Sequence, residues 1–214
     1  MTNRRTFLAA SATALAATTA GCGFILGNEA ATFSASAAAV PDALLQQTGY
    51  EFEANEELEL EREFTVAGQS RRVVVTNVQA KHEKGVDLGP LGSQRAAVFT
   101  ALTTPKAKVL GQTFNPVAEM SATDLAEMAQ DQYQGVDNTQ QQSSSEVTIN
   151  GETTTQAKFA ATTSFAGTSV DIFMHVSEAV SLGSDFLITF GGYPQQLSGE
   201  EANILELMES VESA

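Results

Sequence analysis

One cysteine, Cys22, is all the chain has, which excludes an internal disulfide and any metal site built from thiolates. Tryptophan is absent. Histidine occurs twice, as His82 in AKHEKG and His175 in FMHVSE, with no second histidine at ligand spacing on either segment. Each is therefore expected as a satisfied strand residue. There is no G-x-S-x-G elbow, Walker loop, G-x-G-x-x-G turn or H-E-x-x-H helix. The glycines of GPLGS, Gly89 and Gly92, follow no strand-loop-helix pattern and are expected in a structural loop. Basic residues are scarce too: 11 against 26 acidic ones, a formal charge of −15, with five lysines in total. That balance excludes nucleic acid, which needs clustered Lys and Arg to neutralise phosphate. It also excludes electrostatic docking on an anionic membrane. No apolar run reaches the roughly 20 residues of a spanning helix. These absences lead to the expectation of a non-catalytic protein, with no catalytic residue, cofactor or metal.

What is present begins at the amino terminus. Arg4 and Arg5 precede Phe7 and Leu8, and a mild, Ala- and Thr-rich apolar run extends from Phe7 to Ala20. A basic start, a short apolar run and small residues after it form the plan of an export signal. Twin arginines ahead of so weak a run resemble a twin-arginine (Tat) signal. Cys22 follows in T-A-G-C, which resembles a lipobox, although Thr19 stands where an aliphatic residue is usual. Lipidation explains an exported cysteine that has nothing to pair with. The expected organisation is a signal over residues 1–21, a lipid-anchored tether over 22–32 and a single α+β domain over 33–214. The protein is expected to be exported and held at the outer face of the cytoplasmic membrane by a diacyl or diether lipid on Cys22, since two chains hold firmly where one does not. Loss of residues 1–21, with two arginines and no acid, takes the formal charge from −15 to −17. So acidic a surface, with scarce lysine, fits molar salt, where the Debye length is about 3 Å and self-repulsion vanishes.

Periodicity predicts the elements. PDALLQQTG reads as a helix, with Pro41 at its first position and Gly49 past its end. EELELEREFTV and SRRVVVTNV read as a hairpin, with Glu57, Glu59, Glu61 and Glu63 on a wet face opposite Leu58, Leu60, Arg62 and Phe64. RAAVFTALTT reads as a further strand. SATDLAEMAQDQYQG is a helix with a capping box from Ser121 to Asp124, presenting Leu125, Met128, Ala129 and Tyr133, with Gly135 as its stop. The polar run from Gln140 to Ser145 reads as a loop. Asn150-Gly151 marks a hairpin between SSEVTI and ETTTQAKFAATTSF, and two more strands follow. SGEEANILELMESV is a closing helix, with Ser198 as N-cap, Glu201 reaching back to it, and Ile204, Leu205, Met208 and Val211 turned inward. The expected fold is α+β, a largely antiparallel sheet with about three helices packed on it. That order resembles the PsbP-like α/β sandwich, shared with LpqN-type lipoproteins, an analogy that transfers no activity.

Taken with the Tat-lipobox start, VPDALLQQTGYE, AGQSRRVVVTN, VDLGPLGSQRAAVFT, VLGQTFNPV and YPQQLSGEE resemble a haloarchaeal family of Tat-exported lipoproteins with a domain of unknown function. The resemblance implies halophily and a membrane anchor, and no reaction. The glutamate ladder invites a Ca²⁺ reading, but alternate strand residues lie about 7 Å apart, too far for four carboxylates to reach one ion. Loops carry binding more often than the elements they join. Phe114, Asn115 and Pro116 in one loop, and Tyr193 and Pro194 in another, are thus the candidate partner contacts, against turn chemistry that places the following helices. The expected role is a binding or accessory protein with a protein partner in the membrane or envelope. The alternatives are a carrier holding a small apolar ligand between sheet and helix, and a hydrolase with an unrecognised site.

Overall fold

Long alternating segments of this chain become strands, and in the computed structural model they run further than their apolar pattern alone predicts. The structure describes residues 30–66, 69–87, 93–109, 112–113, 115–132, 136–165 and 168–214. Arg4, Arg5, Phe7, Leu8, Cys22, Gly89, Phe114, Tyr133 and Gly135 lie outside them, as does nearly all of the expected signal and tether. In chain order the elements are β1 (Ala31–Ser34), β2 (Ala38–Ala39), α1 (Asp42–Thr48), β3 (Glu51–Val66), β4 (Gln69–Asp87) and β5 (Ser93–Pro105). Then come β6 (Lys108–Val109), β7 (Gln112–Thr113), a 3-10 turn (Pro116–Glu119), α2 (Ala122–Gln132), β8 (Val136–Ile149) and β9 (Glu152–Phe165). The chain closes with β10 (Thr168–Ser177), β11 (Val180–Leu182), β12 (Asp185–Pro194), α3 (Glu200–Ser210) and β13 (Glu212–Ser213).

Nine strands form one sheet. Across it the positions run β3, β4, β5, β12, β10, β9, β8. Two short strands share edges already in use: β1 lies beside β4 at Val73–Thr76, ahead of β5, and β11 lies beside β12 at Asp185–Leu187, ahead of β10. Every pairing is antiparallel except β1 with β4, so the sheet is mixed. The chain makes one meander, β3 to β5, crosses by way of α2 to the far edge, and returns through a second, β8 to β12. The return brings β12 against β5 and joins the halves.

The structure corrects the expected α+β sandwich with its PsbP-like layering: the molecule is sheet-dominated, and three short α-helices accompany the nine strands among the described residues. The physical reason is visible in β8. Gln140–Ser145, expected as a loop, is strand, because β9 supplies its backbone partners from Val136 to Ile149 and an edge strand needs no apolar side chains over most of its length. Register shifts between Asp137/Gln140 and Gln141/Ser143 bulge this edge. Such bulges blunt an edge against pairing with other chains. At the opposite edge the exposed glutamates of β3 have the same effect.

Both faces of the sheet are covered in part. On one, α1 and α3 pack Leu45, Ile204, Leu207 and Met208 against Phe99, Ala101, Leu187 and Ile149. On the other, α2 packs Leu125 and Ala126 against Leu102, Phe159, Val176 and Ile188. Local signals explain the helix ends. Ser121 Oγ accepts the Asp124 N–H at 3.2 Å while Asp124 Oδ2 accepts the Ser121 N–H at 3.0 Å, a reciprocal capping box that holds the Asp124 carboxyl below its usual pKa. Gly49 ends α1 in the left-handed region, but Pro41 occupies its N-cap rather than its first turn. The N-cap of α3 is Gly199, not the expected Ser198, because the helix starts one residue later and Glu200 turns into the protein instead.

Candidate functional site

The α2 face of the sheet is only half roofed. Where α2 stops covering it, a groove of about 780 Å³ crosses β4, β5, β12, β10 and β9. This falls within the usual volume for a small-molecule site. Strand alternation builds the floor. Val98 and Thr100 on β5, Phe190 on β12, and Ile172 and Met174 on β10 point to this side, and Pro194 closes one margin. Val98 is 38% exposed, a large aliphatic side chain facing the opening. Between Val98 and Met174 in the cross-strand register stands Gly192, whose missing side chain leaves the floor low. Ala129 and Gln130 of α2 form the opposite wall.

Charge is confined to one end. There Lys81 Nζ bonds Glu56 Oε2 at 2.6 Å, and Arg95 Nη1 bonds Glu83 Oε1. Glu53 lines the same end, and the neighbouring Glu83 carboxyl pushes its pKa above the usual value. The far end, at Val136, Thr163, Val170 and Leu197, carries no charge.

The opposite face holds a buried polar layer beneath α3. The register sets His82, Phe99, Gly191, His175 and Lys158 in one row across five strands. The histidines are three strand spacings apart, about 14 Å, so they share no ligand and form no dyad. His175 lies between Gln156 Oε1, 3.1 Å from Nδ1, and Tyr193 Oη, 3.2 Å from Nε2. Gln156 Nε2 donates to Ser145 Oγ at 2.8 Å, so its carbonyl faces the ring. Nδ1 therefore carries the proton and Nε2 accepts from the Tyr193 hydroxyl. Burial lowers the His175 pKa to about 4 and lowers that of His82 as well. Beside this layer the buried carboxylate of Glu200 accepts from Tyr50 Oη (3.1 Å), Lys84 Nζ (2.5 Å) and Asn203 Nδ2 (3.1 Å). Burial, and then the neighbouring Glu200, push the Tyr50 hydroxyl well up. His175, Tyr193, Tyr50, Lys84 and Glu200 all have structural partners, and their arrangement holds α3 to the sheet, whereas the buried Nδ1 of His82 has no hydrogen-bond partner, contrary to the expectation of a satisfied strand residue.

The candidate loop residues fall in different places. Asn115 is buried: its Nδ2 donates to Thr104 Oγ1 (2.7 Å) and the Pro105 carbonyl (3.0 Å), and its Oδ1 accepts the Val117 N–H at 3.3 Å, capping the 3-10 turn. Pro116 is exposed beside it. Tyr193 and Pro194 are the last residues of β12 rather than a loop. Tyr193 is buried against His175 and Phe173, and both residues reach the groove. The structure does not bring the Asn115 and Tyr193 segments to one site. Glutamates 57, 59 and 61 stay exposed on β3, and no group of three His, Cys, Asp or Glu side chains is arranged to hold a metal ion among the described residues.

Sequence reasoning missed the groove's own residues, Glu53, Lys81, Glu83, Arg95, Val98 and Gly192. Two signals pointed there. RAAVFTALTT has apolar residues on both faces of a strand, and paired glycines inside DFLITFGGY mark a strand where something approaches closely. No helix of the described residues is long and apolar enough to cross a membrane. No curated protein matches the chain. Residues 37–212, most of its length, match the model of a domain of unknown function, DUF6517, and the chain thus belongs to that family.

Proposed function

We propose that this protein is a non-catalytic binding protein that takes a small apolar or amphipathic ligand in the groove between the sheet and α2. The observation that carries the reading is the apolar floor itself: Val98, Phe190, Met174 and Ile172 line a cleft of ligand size that α2 borders through Ala129 and Gln130. The polar layer under α3 serves packing in this reading. The amino-terminal pattern supports a setting for it, a Tat-exported haloarchaeal lipoprotein anchored through Cys22 at the outer face of the cytoplasmic membrane.

Native mass spectrometry of protein prepared without detergent tests the ligand. A bound mass that disappears in Gly192→Leu is expected, and a bare chain mass under gentle conditions would count against the reading. Fractionation at molar salt tests the setting: wild type in the membrane and Cys22→Ser released is the expected outcome. A second reading, an accessory subunit for a partner in the membrane or envelope, draws on Phe52 and Leu60, which are 52% and 44% exposed on edge strand β3. Recovery of one stoichiometric protein in a mild-detergent pull-down, lost in Leu60→Asp, would favour it.

A further inference from the structure

Strand β3 alternates glutamate with leucine, yet its leucines join neither core. Leu58 and Leu60 stand opposite Asn77 and Val75 of β4, and Val75 stands opposite Phe33 of β1. Leu60, Val75 and Phe33 thus form one apolar row across three strands, about 10 Å wide, with Leu58 beside it. Leu60 is 44% exposed and the other three are half-buried. Among the described residues none of the four packs in the cores under the helices. The other side of the same ribbon carries Glu57, Glu59, Glu61 and Glu63, all exposed, with Arg72 bonded to Glu61 at 2.9 Å. On the apolar side the next carboxylate of β3, Glu56, is held by Lys81 at 2.6 Å.

We propose that this apolar row is a lipid-docking surface, which lays the β3–β4–β1 ribbon on the bilayer with its glutamates turned to water. The proposal rests on the anchor reading above. From Cys22 to Ala30 the chain advances eight residues, at most about 28 Å, and Phe33 follows three residues later. An anchored Cys22 therefore keeps the row within reach of the surface that holds it. The row is uncharged, so its docking needs no basic residue, and molar salt screens the glutamates behind it. The lipid on Cys22 supplies the affinity, and burial of these few side chains selects which side of the ribbon faces down. Lys81 and Glu83 follow Val75 on the same side of β4, and both line the groove. Docking thus sets the groove on the bilayer side of the sheet, which suits an apolar ligand drawn from the membrane.

Tryptophan fluorescence tests the docking, because the chain has no tryptophan of its own. Leu60→Trp and Glu59→Trp each place one indole on the same stretch of β3, the first on the apolar side and the second on the glutamate side. Both full-length variants are extracted from their own cells' membranes in mild detergent. They are then reconstituted at molar sodium chloride into phosphatidylcholine vesicles, with and without bromine near the headgroup end of the acyl chains. Emission of Leu60→Trp is expected to shift to the blue and to fall at least about twofold in the brominated vesicles, while that of Glu59→Trp changes little. Equal quenching of the two would mean a ribbon that tumbles on its tether, and would overturn the docking. Absence of quenching in both would overturn it as well. Blue-shifted Leu60→Trp emission that bromine leaves intact would place protein over the row, a second copy or a partner, and would overturn the lipid contact. Fractionation separates this failure from that of the anchor. A wild-type chain found soluble overturns the anchor and the docking with it, whereas an anchored chain with unquenched Leu60→Trp overturns the docking alone.

Discussion

Ile204 of α3 sits directly on Gly191 of β12: a Cβ placed at Gly191 would lie 2.5 Å from Ile204 Cγ2 and 2.7 Å from its Cδ1. The helix seats on the sheet at the one position of the His82–His175 row that has no side chain, and Ile204 is fully buried there. Overpacking at such a point costs about 1–3 kcal/mol. Gly191→Ala is thus expected to lower the melting temperature clearly, while Gly192→Ala, with its nearest neighbour at 3.5 Å, changes it little. Adding Ile204→Ala to Gly191→Ala should cost less than the two single losses summed, because the second truncation relieves the clash. Chemical denaturation of the four proteins gives the comparison.

His175 makes stability depend on pH. Burial is the main cause of its lowered pKa, with nearby Lys158 adding to it and Glu201 opposing it. In the folded state the ring protonates near pH 4, and in the unfolded chain near 6.5. Between those values the unfolded state binds more protons, so this contribution is fully present above about pH 6.5 and is lost as pH falls toward 4. It amounts to about 3 kcal/mol. Burial of His82 acts in the same direction. Unfolding free energies measured from pH 7 to 4 should fall steadily, and His175→Gln, which has no proton to gain, should flatten the curve. An equal slope in wild type and His175→Gln would contradict the assignment.

Lys84 and Glu200 test the polar layer by a double-mutant cycle. Glu200 is 5% exposed and depends on Lys84 for its counter-charge. Lys84→Met leaves that carboxylate without a cation and should cost about 2–3 kcal/mol, since a broken buried pair leaves a stranded charge. Lys84→Met combined with Glu200→Gln should lose less than Lys84→Met alone. A double variant weaker than the single one would mean that Glu200 serves by its charge rather than by its hydrogen bonds to Tyr50 and Asn203.

The β8–β9 hairpin depends on backbone conformation alone at Gly151. Asn150 and Gly151 take φ values of 50° and 76°, both in the left-handed region, and nothing lies within 4 Å of a Cβ at Gly151. Gly151→Ala should therefore destabilise by about 1 kcal/mol through strain and not through any clash. Asn150→Gly should be milder, losing the Nδ2 hydrogen bond to the Ser181 carbonyl.

Asn115 separates turn chemistry from partner contact. Asn115→Ala strands the buried groups it serves at Thr104, Pro105 and Val117 and should cost about 1–3 kcal/mol without altering ligand binding in the groove. A variant of unchanged stability would contradict the structural role.

Local rules were legible wherever the deciding residues are neighbours. The Ser121–Asp124 capping box and the Asn150-Gly151 turn are settled within four residues along the chain, and each formed as its pattern implies; the alternation of β3 gave the strand but not its dry face, since Leu60 is exposed like the glutamates beside it. Ser198 and the run Gln140–Ser145 went otherwise because tertiary partners decided them. Glu200 is drawn to Lys84 and Tyr50, which shifts the start of α3, and β9 extends pairing along a polar segment that has no apolar face of its own. The groove was least legible. Its floor joins β4, β5, β12, β10 and β9, and which residues meet there follows from β12 returning beside β5 in one particular register.

By itself, the sequence determined the strand-rich elements, most of their turns, an acidic surface and the lack of familiar catalytic motifs, because propensity, period and charge are properties of short windows. Only the tertiary structure decided that one long sheet dominates, that Gly191 receives Ile204, and that Val98, Gly192 and Met174 lie open beside Glu53 and Glu83. Those facts depend on strand order and register, which are set by packing both sheet faces at once and leave no trace in any single segment.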